Sequence, residues 1–366
     1  MLRHRFVPIA LAIVLLPSIL LAQVTPPGGE VLSADLDPAI ARGLAYLARQ
    51  QQPDGSFQNR EKGNDNNPRF TGPKVALTGL SLMAYLAAGR MPDTGKHGQA
   101  VRNATEYLIK ACPDDGYFGK VDGSRMYGHA IATLALAEAC GMEGDAAQRK
   151  RLRAALTRAV KVLLAAQNTK KDDRYAGGWR YEIASGDSDL SVSAWCILAL
   201  RAAHNAGIDV PKDSADRAAA FVLRCWKPEQ KAFAYQPGGE ASLTMTAAAV
   251  LNLQLLDRDN RDEVRAGIKF LGTHPAGDDT EYPCYARYYI TQAAFQAGGT
   301  LWPKVWEQTQ SKLLQAQKKE NVQIQKKEDG SWPQTRTANE PGQTYATAVS
   351  VLTLSIPLRL LPTYQR

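Results

Sequence analysis

The sequence predicts an all-α protein: an α/α toroid of six helical hairpins with inner and outer helix rings, after an N-terminal signal peptide. Three observations carry this. A turn cluster closed by an aromatic residue recurs at Phe57, Phe118, Trp179, Phe233, Tyr282 and Trp332, at steps of 61, 61, 54, 49 and 50 residues. Self-similarity on that scale marks a repeat architecture. Each turn also sits between a helix apolar on one face and a helix apolar almost all round, the patterns of a surface helix and a buried one. Strand signals are nearly absent.

The elements follow in order. "MLRHRFVPIALAIVLLPSILLAQ" has a basic start (Arg3, His4, Arg5) and an apolar run from Phe6 to Ala22. It predicts a secretory signal (residues 1–22) cleaved after Ala22, with an uncleaved anchor as the alternative and Leu20 larger than cleavage prefers. Residues 30–366 form a single toroid domain. "PAIARGLAYLARQQ" places Ile40, Leu44 and Leu47 on one face and is an outer helix. The segments "VALTGLSLMAYLAAG", "MYGHAIATLALAEACG", "DLSVSAWCILALRAAHNAG", "SLTMTAAAVLNLQLL", "CYARYYITQAAFQAGG" and "TYATAVSVLTLSI" are the six inner helices. Asp-Gly and Gly-Gly in the turns supply the positive-φ geometry that ends one helix. A ring is preferred to an open solenoid because neither terminal repeat carries a polar cap.

Charge and cysteines narrow the function. The net charge is +8, much of it in "QRKRLRAALTRAVK" and "QAQKKENVQIQKKEDG". In the first, Leu152, Leu156, Val160 and Leu163 form a helical stripe opposite the basic residues, so the charge belongs to a solvated face and no nucleic-acid partner is expected. Five cysteines at wide, irregular spacings form no disulfide framework and no metal knuckle, leaving one bridge open. No metal and no cofactor are expected.

"QQPDGSF" and "KKEDGSW", each before a small-residue helix, resemble the repeats of the prenyltransferase/squalene-cyclase superfamily. The resemblance runs from about Asp37 to Leu361. "GGTLWPKVWEQTQSKLLQ" through "DGSW" to "YATAVSVLTLSIPLRLLP" is similar to the last repeat of exported bacterial members known by their repeat alone. It implies a toroid with a central cavity, and an isoprenoid bound or transformed there. Cyclases of the group open an inner helix with D-x-D-D, whose middle acid protonates an alkene. "DSDLS" resembles that motif: Asp187 matches the first aspartate, Asp189 the proton donor, and Leu190 replaces the last aspartate. The acid's tuning is therefore incomplete. Asp189 also fits an N-cap, and capping is the stronger assignment.

His129, at the start of the second inner helix, is the best-placed titratable partner for Asp189. Trp195, Tyr285, Tyr288 and Tyr289, with Arg287 among the tyrosines, are expected to line the cavity and stabilise a cation. The D-x-C zinc pair of protein prenyltransferases and the C-G-E-Q thioester of complement domains do not occur. Two further assignments stay open. One is a uronate lyase, with Arg180 and Arg287 neutralising an acidic glycan. The other is a non-catalytic protein-binding scaffold, its mouth plugged by "QNREKGNDNNPRFTGPK". The ligand is thus an isoprenoid or a glycan, membrane contact is left open, and an exported protein is expected.

Overall fold

The computed structural model describes residues 33–62, 68–274, 282–323, 329–333 and 341–364. The expected signal segment, the fifth turn ahead of Tyr282 and the middle of the "QNREKGNDNNPRFTGPK" segment lie outside the described residues. Twelve α-helices alternate between two rings among the described residues. The outer helices are α1 (Leu36–Gln50), α3 (Gly98–Ala111), α5 (Ala146–Asn168), α7 (Lys212–Arg224), α9 (Asp262–Thr273) and α11 (Leu301–Gln323). The inner helices are α2 (Lys74–Ala87), α4 (Arg125–Met142), α6 (Leu190–Asn205), α8 (Leu243–Leu255), α10 (Pro283–Ala297) and α12 (Gln343–Leu354).

Composition decides which ring a helix joins. In α2 every residue from Val75 to Ala87 is buried, whereas α3 buries only the stripe Gly98, Val101, Ala104, Thr105 and Leu108. An all-apolar helix has no face it can show to water, so six of them pack against one another. Each inner helix touches the next, and α12 returns to α2, which closes the ring. The basic stretch of α5 exposes Arg149, Lys150, Arg151 and Arg153, while Leu152, Leu156, Val160 and Leu163 are buried.

The repeat is held by three devices. A glycine two residues before the turn aromatic lies against a carbonyl of the next outer helix: Gly55 on Asn103, Gly116 on Arg158, Gly177 on Arg217 and Gly330 on Arg42. Each has a positive φ, and a Cβ would overlap that carbonyl. A glutamine ties turn to helix. Gln51 Nε2 donates to Gly55 and Ala100 carbonyls, Gln167 to Gly177 and Ser214, and Gln317 to Gly330 (2.8 Å) and Ala39 (3.0 Å). Gly330 and Gln317 thus fasten the last hairpin to the first helix.

Third, the backbone N–H of five of the six turn aromatics is received by a side chain of the following inner helix. Phe57 donates to Thr78, Phe118 to His129, Trp179 to Ser193, Phe233 to Thr246 and Trp332 to Thr347.

Two small hairpins depart from the all-helical expectation. Strands β1 (Asn59–Lys62) and β2 (Pro68–Thr71) pair antiparallel, as do β3 (Trp226–Lys227) and β4 (Ala232–Phe233). The second replaces a glycine turn: Lys231 stands where four of the repeats have glycine and takes a positive φ of 51° itself. Asn59, at the base of the first, accepts the Thr344 N–H at the start of α12 and donates to the Pro341 carbonyl. That strand therefore braces the ring seam, and none of its described residues lines the central cavity. All five cysteines are buried and free, so the open disulfide does not form.

Candidate functional site

All six inner helices start at the same end of the ring and enclose there a cavity of about 1030 Å³. This is at the upper end of small-molecule pockets, roughly 300–1,000 Å³. The wall takes Ala76, Leu77 and Leu80 from α2, Tyr127, Gly128 and Ile131 from α4, and Ser191 and Trp195 from α6. Leu243, Thr244 and Met245 come from α8, Tyr285 from α10 and Tyr345 from α12. Tyr181, Tyr235 and Asp122, in the segments leading to α6, α8 and α4, also line it. Its surface is mainly aliphatic and aromatic, with hydroxyls as the main polar groups.

Asp189 caps α6. An antiparallel bridge between Trp179 and Asp189 brings the neighbouring Arg180 beside it. Asp189 Oδ1 accepts the Val192 N–H at 2.8 Å, and Oδ2 accepts Arg180 Nη1 at 2.8 Å. The residue is fully buried and is not on the cavity wall. Burial pushes its carboxyl above the usual range, while the Val192 amide and the Arg180 guanidinium pull it back. Arg180 also donates to Tyr235 Oη (2.7 Å), contacts Asp187 (3.3 Å) and lies over the rings of Tyr181 (4.6 Å) and Tyr235 (5.5 Å). Burial alone would lower Arg180, but the bond to Asp189 more than reverses this and keeps it charged. Both Asp189 oxygens are thus occupied as acceptors, and Tyr235 rather than Asp189 faces the cavity.

Asp189→Asn keeps the cap and discards the ion pair. It is expected to lower unfolding free energy by about 2 kcal/mol, less than a fully buried broken pair because Arg180 retains Asp187 and some solvent. Unchanged stability in a denaturant titration would refute this assignment.

His129 is not brought to Asp189. Its Nδ1 accepts the Phe118 N–H at 3.3 Å, its Nε2 faces the Ala159 carbonyl at 3.2 Å, and burial pushes it down to about 3. It stands where other repeats use threonine or serine, so the expected tuning role is replaced by a structural one.

The aromatic residues divide. Trp195 and Tyr285 reach the cavity, whereas Tyr288 and Tyr289 back them up. Tyr288 stacks on Trp195 (5.9 Å, 9°), and Tyr289 meets it edge-on at 5.7 Å. Arg287 is half-buried and, like Arg180, is off the cavity wall, so neither supplies the cation that uronate chemistry needs there.

Wall residues that escaped the sequence analysis include Asp122, Tyr127, Ser191 and Tyr235. Ser191 Oγ is hydrogen-bonded to Tyr127 Oη and lies 3.1 Å from Tyr285 Oη, which donates to the Ser191 carbonyl (3.2 Å). Tyr181 and Tyr235 hydroxyls meet at 2.8 Å. Burial raises Tyr127, Tyr235 and Tyr285, so all three stay neutral. Asp122 accepts the Val75 N–H at 2.6 Å and the Ser124 N–H at 3.0 Å. Their shared signal was position, at the first turn of an inner helix or just ahead of one.

Ring and cavity together define an α/α toroid with a central cavity. The model of the prenyltransferase alpha-alpha toroid domain matches residues 32–173 and 180–277, and the chain belongs to that family. No curated protein matches it by sequence. Similar solved structures include a glycosidase variant (13% identity, TM-score 0.60, covering 90% of this chain and 100% of that one). An inactive alpha-1,6-mannanase variant of Salegentibacter with alpha-1,6-mannotriose is another (11%, 0.59, 88% and 99%). A type II terpene cyclase from Scytonema is a third (14%, 0.54, 89% and 99%). At these identities the likeness carries the fold alone.

Proposed function

We propose that the chain binds an isoprenoid-class lipid in the central chamber. The observation that carries this is the wall itself, with aliphatic and aromatic side chains from all six inner helices around one cavity. Burying a methylene is worth about 0.8 kcal/mol, so a dozen apolar carbons outweigh any single hydrogen bond of about 1 kcal/mol. The apolar chain drives binding. An acid-initiated cyclisation has weaker support, because Asp189 is committed to Val192 and Arg180. The apolar start of the chain, with its basic flank, favours a setting outside the cytoplasm.

A glycan ligand is the second choice, favoured by the glycosidase and mannanase folds and by the Tyr and Trp surfaces. Glycoside hydrolysis ordinarily uses two carboxyl groups. Asp122 is the one carboxylate on the wall among the described residues, and both of its oxygens already accept backbone N–H groups.

Equilibrium dialysis separates the two. Geranylgeraniol is expected to be retained, mannotriose to pass through, and Leu80→Trp, which fills the chamber, to weaken retention at least about tenfold. Retention of mannotriose without geranylgeraniol would replace the lipid with a sugar.

A further inference from the structure

We infer that the ligand is an uncharged, oxygenated isoprenoid, an alcohol or ketone, whose oxygen sits at Tyr127, Ser191 and Tyr285; this rests on the isoprenoid assignment above. The chamber offers hydroxyls and no cation: no Lys, Arg or His lines it among the described residues. A buried phosphate needs paired positive charge, and without it desolvation dominates.

The helix ends do not supply that charge. Six helix N-termini at one end of a ring would ordinarily favour an anion. Here one first-turn amide on each of five of these helices is already engaged, and the sixth helix lacks its first. Asp122 takes the Val75 N–H of α2, Asp189 the Val192 N–H of α6, Ser242 the Met245 N–H of α8, and Asn59 the Thr344 N–H of α12. On α4 the Met126 N–H donates to the Tyr181 carbonyl, and α10 opens with proline. Two of these partners are carboxylates, which oppose a second anion.

The hydroxyl cluster suits a neutral oxygen. Tyr285 donates to the Ser191 carbonyl, and Ser191 and Tyr127 share one hydrogen bond, so a hydrogen remains for the contact between Ser191 and Tyr285 or for a ligand. The Tyr127 oxygen keeps lone-pair capacity. An incoming hydroxyl therefore finds both an acceptor and a donor, and a carbonyl finds a donor. Trp195 contacts Tyr285 at 6.3 Å and also lines the chamber, so its emission reports occupancy.

Trp fluorescence titrations of the full chain with geranylgeraniol, geranylgeranyl diphosphate and the hydrocarbon phytane test this. Geranylgeraniol should bind tightest, by about three- to tenfold over phytane and by more over the diphosphate. Tyr127→Phe and Ser191→Ala, checked for intact melting, should erase the preference for the alcohol over phytane. A diphosphate that binds best, or an alcohol no better than phytane, would overturn the neutral-oxygen assignment while leaving the lipid chamber standing. Failure of all three probes would remove the isoprenoid assignment and this one with it.

Discussion

Gly330→Ala is expected to lower unfolding free energy by about 3 kcal/mol, from a left-handed backbone penalty and forced repacking. Gly330 has φ +80°, and an added Cβ would overlap the carbonyl of Arg42 in α1. It also carries the carbonyl that Gln317 links to Ala39, so the substitution loosens the seam where the last hairpin meets the first. Gly238 is the control, because its φ is +87° but nothing lies within 4 Å of the added Cβ. Gly238→Ala should cost only about 1 kcal/mol, the conformational part alone. Denaturant titrations that gave equal losses for the two would mean that close approach, and with it the proposed seam, does not govern stability.

Glu138→Gln should remove a pH dependence rather than shift stability uniformly. Glu138 lies in inner helix α4, 1% exposed, with Oε1 accepting from the N–H and hydroxyl of Thr363 near the C-terminal end. Its Oε2 has no partner among the described residues. Burial pushes the carboxyl from 4.5 up to about 7, partly offset by Thr363. Between those values the unfolded chain releases a proton that the folded chain holds. Stability is therefore full below about pH 4.5 and falls as pH rises through about 7, by an amount on the order of 3 kcal/mol. The glutamine variant keeps a neutral acceptor for Thr363, so it should match the wild type at acid pH and exceed it at about pH 8. An offset between the two proteins that stays constant with pH would contradict the buried-carboxyl account.

The ring was legible because its determinants are local and repeated. The aromatic residues Phe57 through Trp332 mark each hairpin, and the all-apolar inner helices have only one place to go. The same repetition held the role of His129. Thr78, Ser193, Thr246 and Thr347 occupy its position in other units, so a structural acceptor was readable once the repeats were aligned. Lys231 shows the limit, because a non-glycine residue adopts the turn's positive φ and a small hairpin replaces the tight turn.

The chamber wall was less legible for a physical reason. A helix apolar all round carries no amphipathic signal for its rotation. Tyr285 and Tyr288 are one turn apart, yet only the first reaches the cavity. Likewise, Asp187 and Asp189 announce a helix start, but their partner Arg180 is set by the bridge between Trp179 and Asp189. That depends on tertiary pairing.

Mass spectrometry of small molecules extracted from the purified protein tests the central claim most directly, beside the Leu80→Trp variant. A neutral isoprenoid recovered with the wild type and lost from Leu80→Trp is the result expected of a mainly apolar chamber with no cation among its described lining residues. Recovery of an oligosaccharide from the wild type, or of the same lipid in equal amount from the filled-chamber variant, would contradict it.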